Sequence, residues 1–196
     1  MAIVPIILAA GESTRMGRPK PLLDFSGRTA LELALGSERD GGAGRPIVVL
    51  GHEQALIRST VKLTEATVVV NVDYKLGQTT SLKAALRVLP LDAEAFLLHP
   101  VDCPLITGAI VKSAIDGWRA SGKPIVIPSH AMKRGHPVLF AAALKDEFLA
   151  LGDGEPARTI VNAHAAEIHY IDAPEECLVD MDTPEEYEAC RRRMIG

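Results

Sequence analysis

LAAGESTRMGRPKPLL, residues 8–23, decides how the rest of this chain is read. It continues the apolar run AIVPIILAA at residues 2–10, which has the length and the Ile/Val/Leu content of a buried strand. The stretch therefore predicts a loop at the carboxyl end of a first strand, with small residues that let the backbone approach a ligand. Two glycines, Gly11 and Gly17, and three cations, Arg15, Arg18 and Lys20, lie within it, a composition able to wrap a triphosphate. The spacing fits neither common phosphate loop. Five residues separate Gly11 from Gly17 and Lys20 comes late, so it is not a Walker A loop; a GxGxxG fingerprint is absent. Pro21 biases Lys20 toward extended backbone, which predicts a lysine on a loop crossing the ligand instead of one opening a helix. Spacing alone leaves open a plain turn with solvated cations.

Outward from this loop, apolar runs at residues 3–8, 46–50, 67–72, 95–99 and 124–128 predict strands, continuous enough to be covered on both faces. Residues 29–39, 52–63, 79–89 and 107–120 carry apolar positions at helical spacing, as Leu82, Ala85, Leu86 and Leu89 illustrate. Strands alternating with helices predict an α/β fold, a doubly wound sheet that binds ligands beyond the carboxyl ends of its strands. The second half is less regular: a strand at 137–140, helices at 141–151 and 157–163, and a strand at 167–171. A last helix starts at Pro184, capped by Asp182 or Thr183.

The 196 residues suit one domain over 1–196. With 4% aromatic residues the core should be aliphatic, and a base-stacking platform for single-stranded nucleic acid is excluded. A net charge of -4 gives no global field for nucleic acid or an anionic membrane. The three cysteines, Cys103, Cys177 and Cys190, form no CxxC pair and no disulfide framework, which suits the cytoplasm. The longest apolar run falls far short of the roughly 18 residues that span a bilayer.

LAAGxSxRMGxPKxLL resembles the signature loop of the MobA-like nucleotidyltransferases, in particular their MocA-type, molybdenum cofactor cytidylyltransferase branch. The resemblance implies a three-layer Rossmann-like nucleotidyltransferase fold with a mostly parallel central sheet. It also implies that Leu8, Ala9, Ala10 and Gly11 lie against the nucleobase and that Arg15 and Lys20 hold the triphosphate, as nucleotide-binding and catalytic residues. Guanylyl-transferring relatives carry LAGG here, so Ala10 implies CTP over GTP, a one-methyl preference of about 1–3 kcal/mol.

Asp102 falls just beyond the carboxyl end of the 95–99 strand, where the sheet argument places ligands; magnesium binding and a helix-start carboxylate are both open to it. The family's Asp-x-Pro motif implies that Asp102 coordinates Mg2+, although Cys103 stands where MocA-type relatives commonly have Gln. VDMDTPEEY, residues 179–187, resembles the family's DxDTPEDY segment and implies a second metal ligand at Asp182, with Asp180 ranked below it and helix capping as the plain alternative. GQTTSL, residues 77–82, resembles its Gly-x-Ser-Ser-Ser-Leu element, which implies nucleotide contacts from Gly77, Thr79 and Ser81; a helix cap is equally open. KRGHPVLF, residues 133–140, resembles the acceptor-facing segment and implies roles for Arg134, Gly135 and His136, with Gly135 allowing unusual backbone angles. The other histidines show no metal spacing.

The implied reaction is transfer of CMP from CTP to a phosphate-bearing acceptor such as molybdopterin, with Mg2+ as cofactor and pyrophosphate released. A molybdoenzyme or a chaperone is the implied protein partner. The alternatives are a GTP-using guanylyltransferase, a sugar-phosphate or phospho-alcohol nucleotidyltransferase, a nicotinamide-dependent oxidoreductase, and a noncatalytic nucleotide-binding protein.

Overall fold

The structure is a computed structural model and describes residues 2–152 and 154–195; residues 1, 153 and 196 of the expected domain lie outside the described residues. Its strands are β1 (Ala2–Ala9), β2 (Asp24–Phe25), β3 (Arg28–Thr29), β4 (Ile47–Leu50), β5 (Thr67–Val70), β6 (Ala93–Pro100), β7 (Ile125–His130), β8 (Lys133–Arg134), β9 (Val138–Ala141) and β10 (Ile168–Asp172). Its helices are α1 (Ala30–Asp40), α2 (Gln54–Thr60), α3 (Gln78–Arg87), α4 (Gly108–Ser121), α5 (Lys145–Ala150), α6 (Arg158–Ala163) and α7 (Pro184–Ile195). The main sheet runs β10-β7-β9-β6-β1-β4-β5, with β8 paired to β7. β6, β1, β4 and β5 are parallel, as are β7 and β10; β9 runs antiparallel between β6 and β7.

Alternation along β1 divides the core. Val4, Ile6 and Leu8 face Leu82, Leu86 and Phe148 from α3 and α5, whereas Ile7 and Ala9 face Leu31, Ile57 and Tyr187 from α1, α2 and α7. Ile3 meets Val111 and Ile115 of α4 on the same side as Ile7. The sheet is thus covered on both faces, in three layers, as the continuous apolar strands require. The core is mainly aliphatic, but Phe96, Phe140 and Phe148 form an aromatic knot with ring centroids 4.9–5.6 Å apart. Scarce aromatics can still cluster when strand register brings them together, as the Phe96–Phe140 pairing does here.

Two sequence expectations change. The 67–72 run ends as a strand at Val70, and Val72 is 80% exposed beyond β5, which is the edge of the sheet among the described residues. Lys20 opens a 3-10 turn, Lys20–Leu22, instead of lying extended. Its backbone N–H donates to Ser13 Oγ at 3.0 Å and the Leu23 N–H to the Lys20 carbonyl at 3.1 Å, contacts that override the pre-proline bias.

The strand ends bring the site together. β1 is flanked by β4 and β6, with Leu8 opposite Pro100 and Ala9 opposite Leu50. The Val101 N–H donates to the Leu8 carbonyl and the His52 N–H to the Ala10 carbonyl, both at 3.1 Å. A side chain at Gly51 would sit 2.7 Å from the Ala10 carbonyl, so glycine is needed for that approach.

Candidate active site

Beyond the carboxyl ends of β1 and β6 lies an open cleft of about 260 Å³. Leu8, Ala9, Ala10 and Gly11 line it, together with Arg15, Lys20, Asp102 and Asp182. Ser13 takes φ 55 and its carbonyl accepts the Met16 and Gly17 N–H groups at 3.0 and 3.1 Å, which folds the loop back on itself. Met16 is buried in the core and anchors the turn. A Cβ built on Gly11 would meet nothing within 4 Å, so the loop backbone there faces open space.

Four charged side chains converge at the cleft. Lys20 Nζ lies 3.0 Å from Asp102 Oδ2 and 2.5 Å from Asp182 Oδ1, and Arg15 Nη2 lies 2.6 Å from Asp182 Oδ2. Burial works to lower the Lys20 pKa, but the two carboxylates outweigh it and hold the ammonium above the ordinary lysine value. The hydrogen bond from Lys20 chiefly holds Asp182 below the usual carboxylate value; Lys20 and Arg15 charge adds to this against burial. Asp180 moves the other way, raised by burial and by the charges of Asp102, Asp182 and Glu186.

Asp182 is not the cap of α7. The Glu186 N–H donates to Thr183 Oγ1 at 3.3 Å, and Glu186 Oε2 accepts the Thr183 and Asp182 N–H groups at 2.9 and 2.7 Å, a complete capping box. The Asp182 carboxylate is therefore free to face the cleft. The Met181 N–H donates to the Asp102 carbonyl at 2.9 Å and ties the two acidic segments together. Among the described residues no group of three or more His, Cys, Asp or Glu could hold a metal ion. Two carboxylates that share one ammonium nevertheless offer the oxygen donors magnesium takes, its other positions being filled by phosphate and water.

The start of α3 sorts its hydroxyls. Gln78 and Ser81 line the cleft, but Gly77 and Thr79 do not. Thr79 Oγ1 donates to the Glu155 carbonyl, and Thr80 Oγ1 to the Gly77 carbonyl at 2.8 Å. Buried Asn71 donates to Thr80 Oγ1 and Ser81 Oγ, both at 2.9 Å, which fixes the helix against the end of β5. The N-cap of α3 is Gly77 at φ 118, which has no side chain to cap it.

The 134–136 segment also lies off the cleft. Arg134 is exposed on β8, with Nε donating to Tyr170 Oη at 2.9 Å and Nη1 to Asn162 Oδ1 at 3.2 Å. Gly135 has no positive φ; a Cβ there would strike the Cys177 carbonyl at 2.5 Å, so glycine serves close packing and not an unusual backbone angle. Burial, then nearby His99, pushes the His136 imidazole below the ordinary histidine value.

The family model for the MobA-like NTP transferase domain matches residues 5–168, which contain the signature loop and Asp102. The chain belongs to the MobA-like NTP transferase family. It is 28% identical to the molybdenum cofactor cytidylyltransferase of Escherichia coli (strain K12), over 98% of this chain and 97% of that one. It is 29% identical to the nicotine blue oxidoreductase of Paenarthrobacter nicotinovorans, over 94% of each chain. The structure of the Rv0371c protein of Mycobacterium tuberculosis H37Rv in complex with manganese superimposes with a TM-score of 0.80 at 27% identity, over 98% of this chain and 99% of that one. The three-layer Rossmann-like sheet is that of this MobA-like family's nucleotidyltransferase relatives.

Within this MobA-like domain, sequence reading did not single out Ser13, Tyr74, Gln78 or Val101, which also line the cleft. Gln78 stands in the segment that carried the resemblance, and Val101 beside Asp102. Tyr74 had no local signal: it reaches the cleft because its ring packs where a Gly51 side chain would be, 2.9 Å from that Cβ position.

Proposed function

We propose that this MobA-like protein is a Mg2+-dependent nucleotidyltransferase that moves CMP from CTP to a phosphate-bearing acceptor, molybdopterin before a sugar phosphate or phospho-alcohol, and releases pyrophosphate. The observation that carries the reading is the meeting, at one strand end, of a bare loop backbone at Gly11, two cations and two carboxylates joined through the Lys20 ammonium. Leu8, Ala9, Ala10 and Gly11 hold the base, and the Ala10 methyl in the wall favours a pyrimidine by about 1–3 kcal/mol. Arg15 and Lys20 turn from Asp182 to the triphosphate, Arg15 through its planar fork and Lys20 as a point charge. Asp102 and Asp182 hold the divalent ion, which when bound neutralises charge on the triphosphate and the departing pyrophosphate.

The acceptor phosphate attacks the α-phosphorus, and the bond to the β-phosphate oxygen breaks. With a second pKa near 6 the acceptor is already largely dianionic at neutral pH, so no general base is needed. Rate then rests on alignment and charge compensation by these side chains. Ser81, whose oxygen already accepts from Asn71, turns its hydroxyl proton to the nucleotide. Arg134, Gly135 and His136 face the acceptor beyond the cleft, with Arg134 meeting its phosphate. We place the reaction in the cytoplasm, as the work of one catalytic domain. Among the described residues no helix is long and apolar enough to cross a membrane.

The test is pyrophosphate release from CTP, GTP, UTP and ATP, each with molybdopterin, with and without Mg2+. The expected result is metal-dependent release with CTP fastest. Faster release with GTP overturns the base assignment, absence of release with every nucleotide overturns molybdopterin as the acceptor, and continued absence with sugar phosphates and phospho-alcohols overturns the transferase reading. The oxidoreductase name of the Paenarthrobacter relative favours a second reading, hydride transfer. Oxidation of NADPH in place of pyrophosphate release would select it.

A further inference from the structure

At the opposite pole of the sheet, by the amino ends of β4 and β5, lies a second and larger groove of about 840 Å³. Leu35, Pro46 and Leu63 supply its apolar surface. Four cations line it, Arg28, Arg39, Arg45 and Lys62, against two carboxylates, Glu32 and Glu65. Glu32 is engaged elsewhere in part: its Oε2 accepts the Thr29 N–H and hydroxyl at 2.7 and 2.9 Å in the α1 capping box.

Two of the arginines, Arg28 and Arg45, are held in place by backbone carbonyls. Arg45 Nη2 donates to the Thr64 and Ala66 carbonyls at 3.4 and 3.2 Å, and Arg28 Nη2 to the Glu32 carbonyl at 3.0 Å. Arg28 fills the place of a side chain at Gly36, where a Cβ would lie 2.4 Å from Nη2. Backbone carbonyls orient a guanidinium but leave its full charge for a ligand. Among the described residues Arg39 pairs with exposed Asp40 alone, a contact that water weakens, and Lys62 has no partner. In a chain of net charge -4, this concentration of cations beside an apolar surface favours an anion with an apolar body.

We propose that this groove is a second ligand site, separate from the cleft, for a small organic phosphate monoester whose phosphate lies among Arg28, Arg39 and Lys62 and whose body lies on Leu35 and Leu63. The experiment is a backbone amide NMR titration of the full chain without metal, using phenyl phosphate, inorganic phosphate and neutral benzyl alcohol as separate probes. Saturable shifts are expected at Gly36, Gly44, Lys62 and Glu65, with phenyl phosphate saturating at about tenfold lower concentration than phosphate because its ring is buried. Benzyl alcohol should leave these amides unmoved. Arg39→Glu combined with Lys62→Glu, both exposed positions, should abolish the shifts while the remaining spectrum stays folded. No saturable shift at those amides, shifts that survive the double substitution, or equal shifts with benzyl alcohol would overturn the proposal. Equal saturation by phosphate and phenyl phosphate would overturn the assignment of the apolar body. The benzyl alcohol comparison is made on the unaltered protein and decides the matter even if the double variant fails to fold.

Discussion

The ion cluster in the cleft and the buried pair Glu38–His99 are built from similar groups and behave in opposite ways. In the cleft, Lys20, Asp102 and Asp182 keep 13%, 30% and 32% of their side-chain surface, and each carboxylate has a cationic partner. Glu38 and His99 keep 1% and 0%; Oε1 meets Nδ1 at 2.7 Å, while Glu38 Oε2 and His99 Nε2 have no partner among the described residues. Solvent and ligand reach the first set, so its contacts can be exchanged for phosphate and metal. The second is sealed between α1 and β6, and breaking it leaves a polar group stranded in low dielectric. Access to the outside, more than the strength of pairing, distinguishes a site from a structural tie.

The widest gap between the two regions should come from Asp102→Asn. Turnover should fall by about three orders of magnitude, equivalent to about 4 kcal/mol at 1.36 kcal/mol per decade, with the melting temperature nearly unchanged. A folded variant with normal pyrophosphate release would put Asp102 on the structural side of the comparison. His99→Ala should do the reverse, costing about 3 kcal/mol in urea denaturation because Glu38 loses its partner inside the core. Replacing both, as Glu38→Met with His99→Leu, should recover most of that loss. If the double replacement is no more stable than the single one, the buried pair is more than a tie.

Lys20→Met sharpens the comparison from within the cleft. The ammonium lies between the two expected metal ligands, where it would compete with a divalent ion. Its removal should raise affinity for Mn2+ alone about tenfold, or about 1.4 kcal/mol, and weaken CTP binding. Calorimetry with each ligand separately reads both effects. Weaker Mn2+ binding in the variant would show that the carboxylates need the lysine to hold them together.

The cleft was legible where its parts follow strands. Residues 8–11 and Asp102 sit at strand ends, with Arg15 and Lys20 in the loop that follows β1, and an apolar run followed by a polar loop marks such a place in sequence. What sequence could not sort was which of several equivalent groups faces the ligand. Thr79 and Ser81 share the helix start, yet Thr79 bonds to Glu155 across 76 positions while Ser81 lines the cleft. Asp182 and Thr183 both suit an N-cap, and only the Glu186 contact decides that Thr183 takes it. The buried pair was invisible because Glu38 lies in a helix and His99 in a strand 61 positions away, with no local pattern linking them. The short β2–β3 hairpin and β8 are two-residue strands, below the length at which alternation can be read.

The smallest expected effect concerns a third charged group, at His164 beside α5. Its Nε2 lies 2.8 Å from Glu147 Oε2 and its Nδ1 2.8 Å from Glu167 Oε1. A neutral imidazole has one N–H, so donating to both carboxylates at once requires the cation. The hydrogen bonds to Glu147 and then Glu167 accordingly raise the His164 pKa above 6.5. Its contribution is complete below the unfolded value of 6.5 and is lost as pH rises through the higher folded value. Asp182 has the opposite sign: held below 3.8, it stabilises above that value, and the contribution is lost as pH falls through its lower folded pKa. Between pH 6 and 8, therefore, the cleft pairs should be constant while the His164 contribution declines by less than about 1 kcal/mol, since both glutamates are about half exposed. His164→Gln should flatten that slope in urea denaturation while leaving pyrophosphate release unchanged. A slope that persists in the variant would place the titrating group elsewhere.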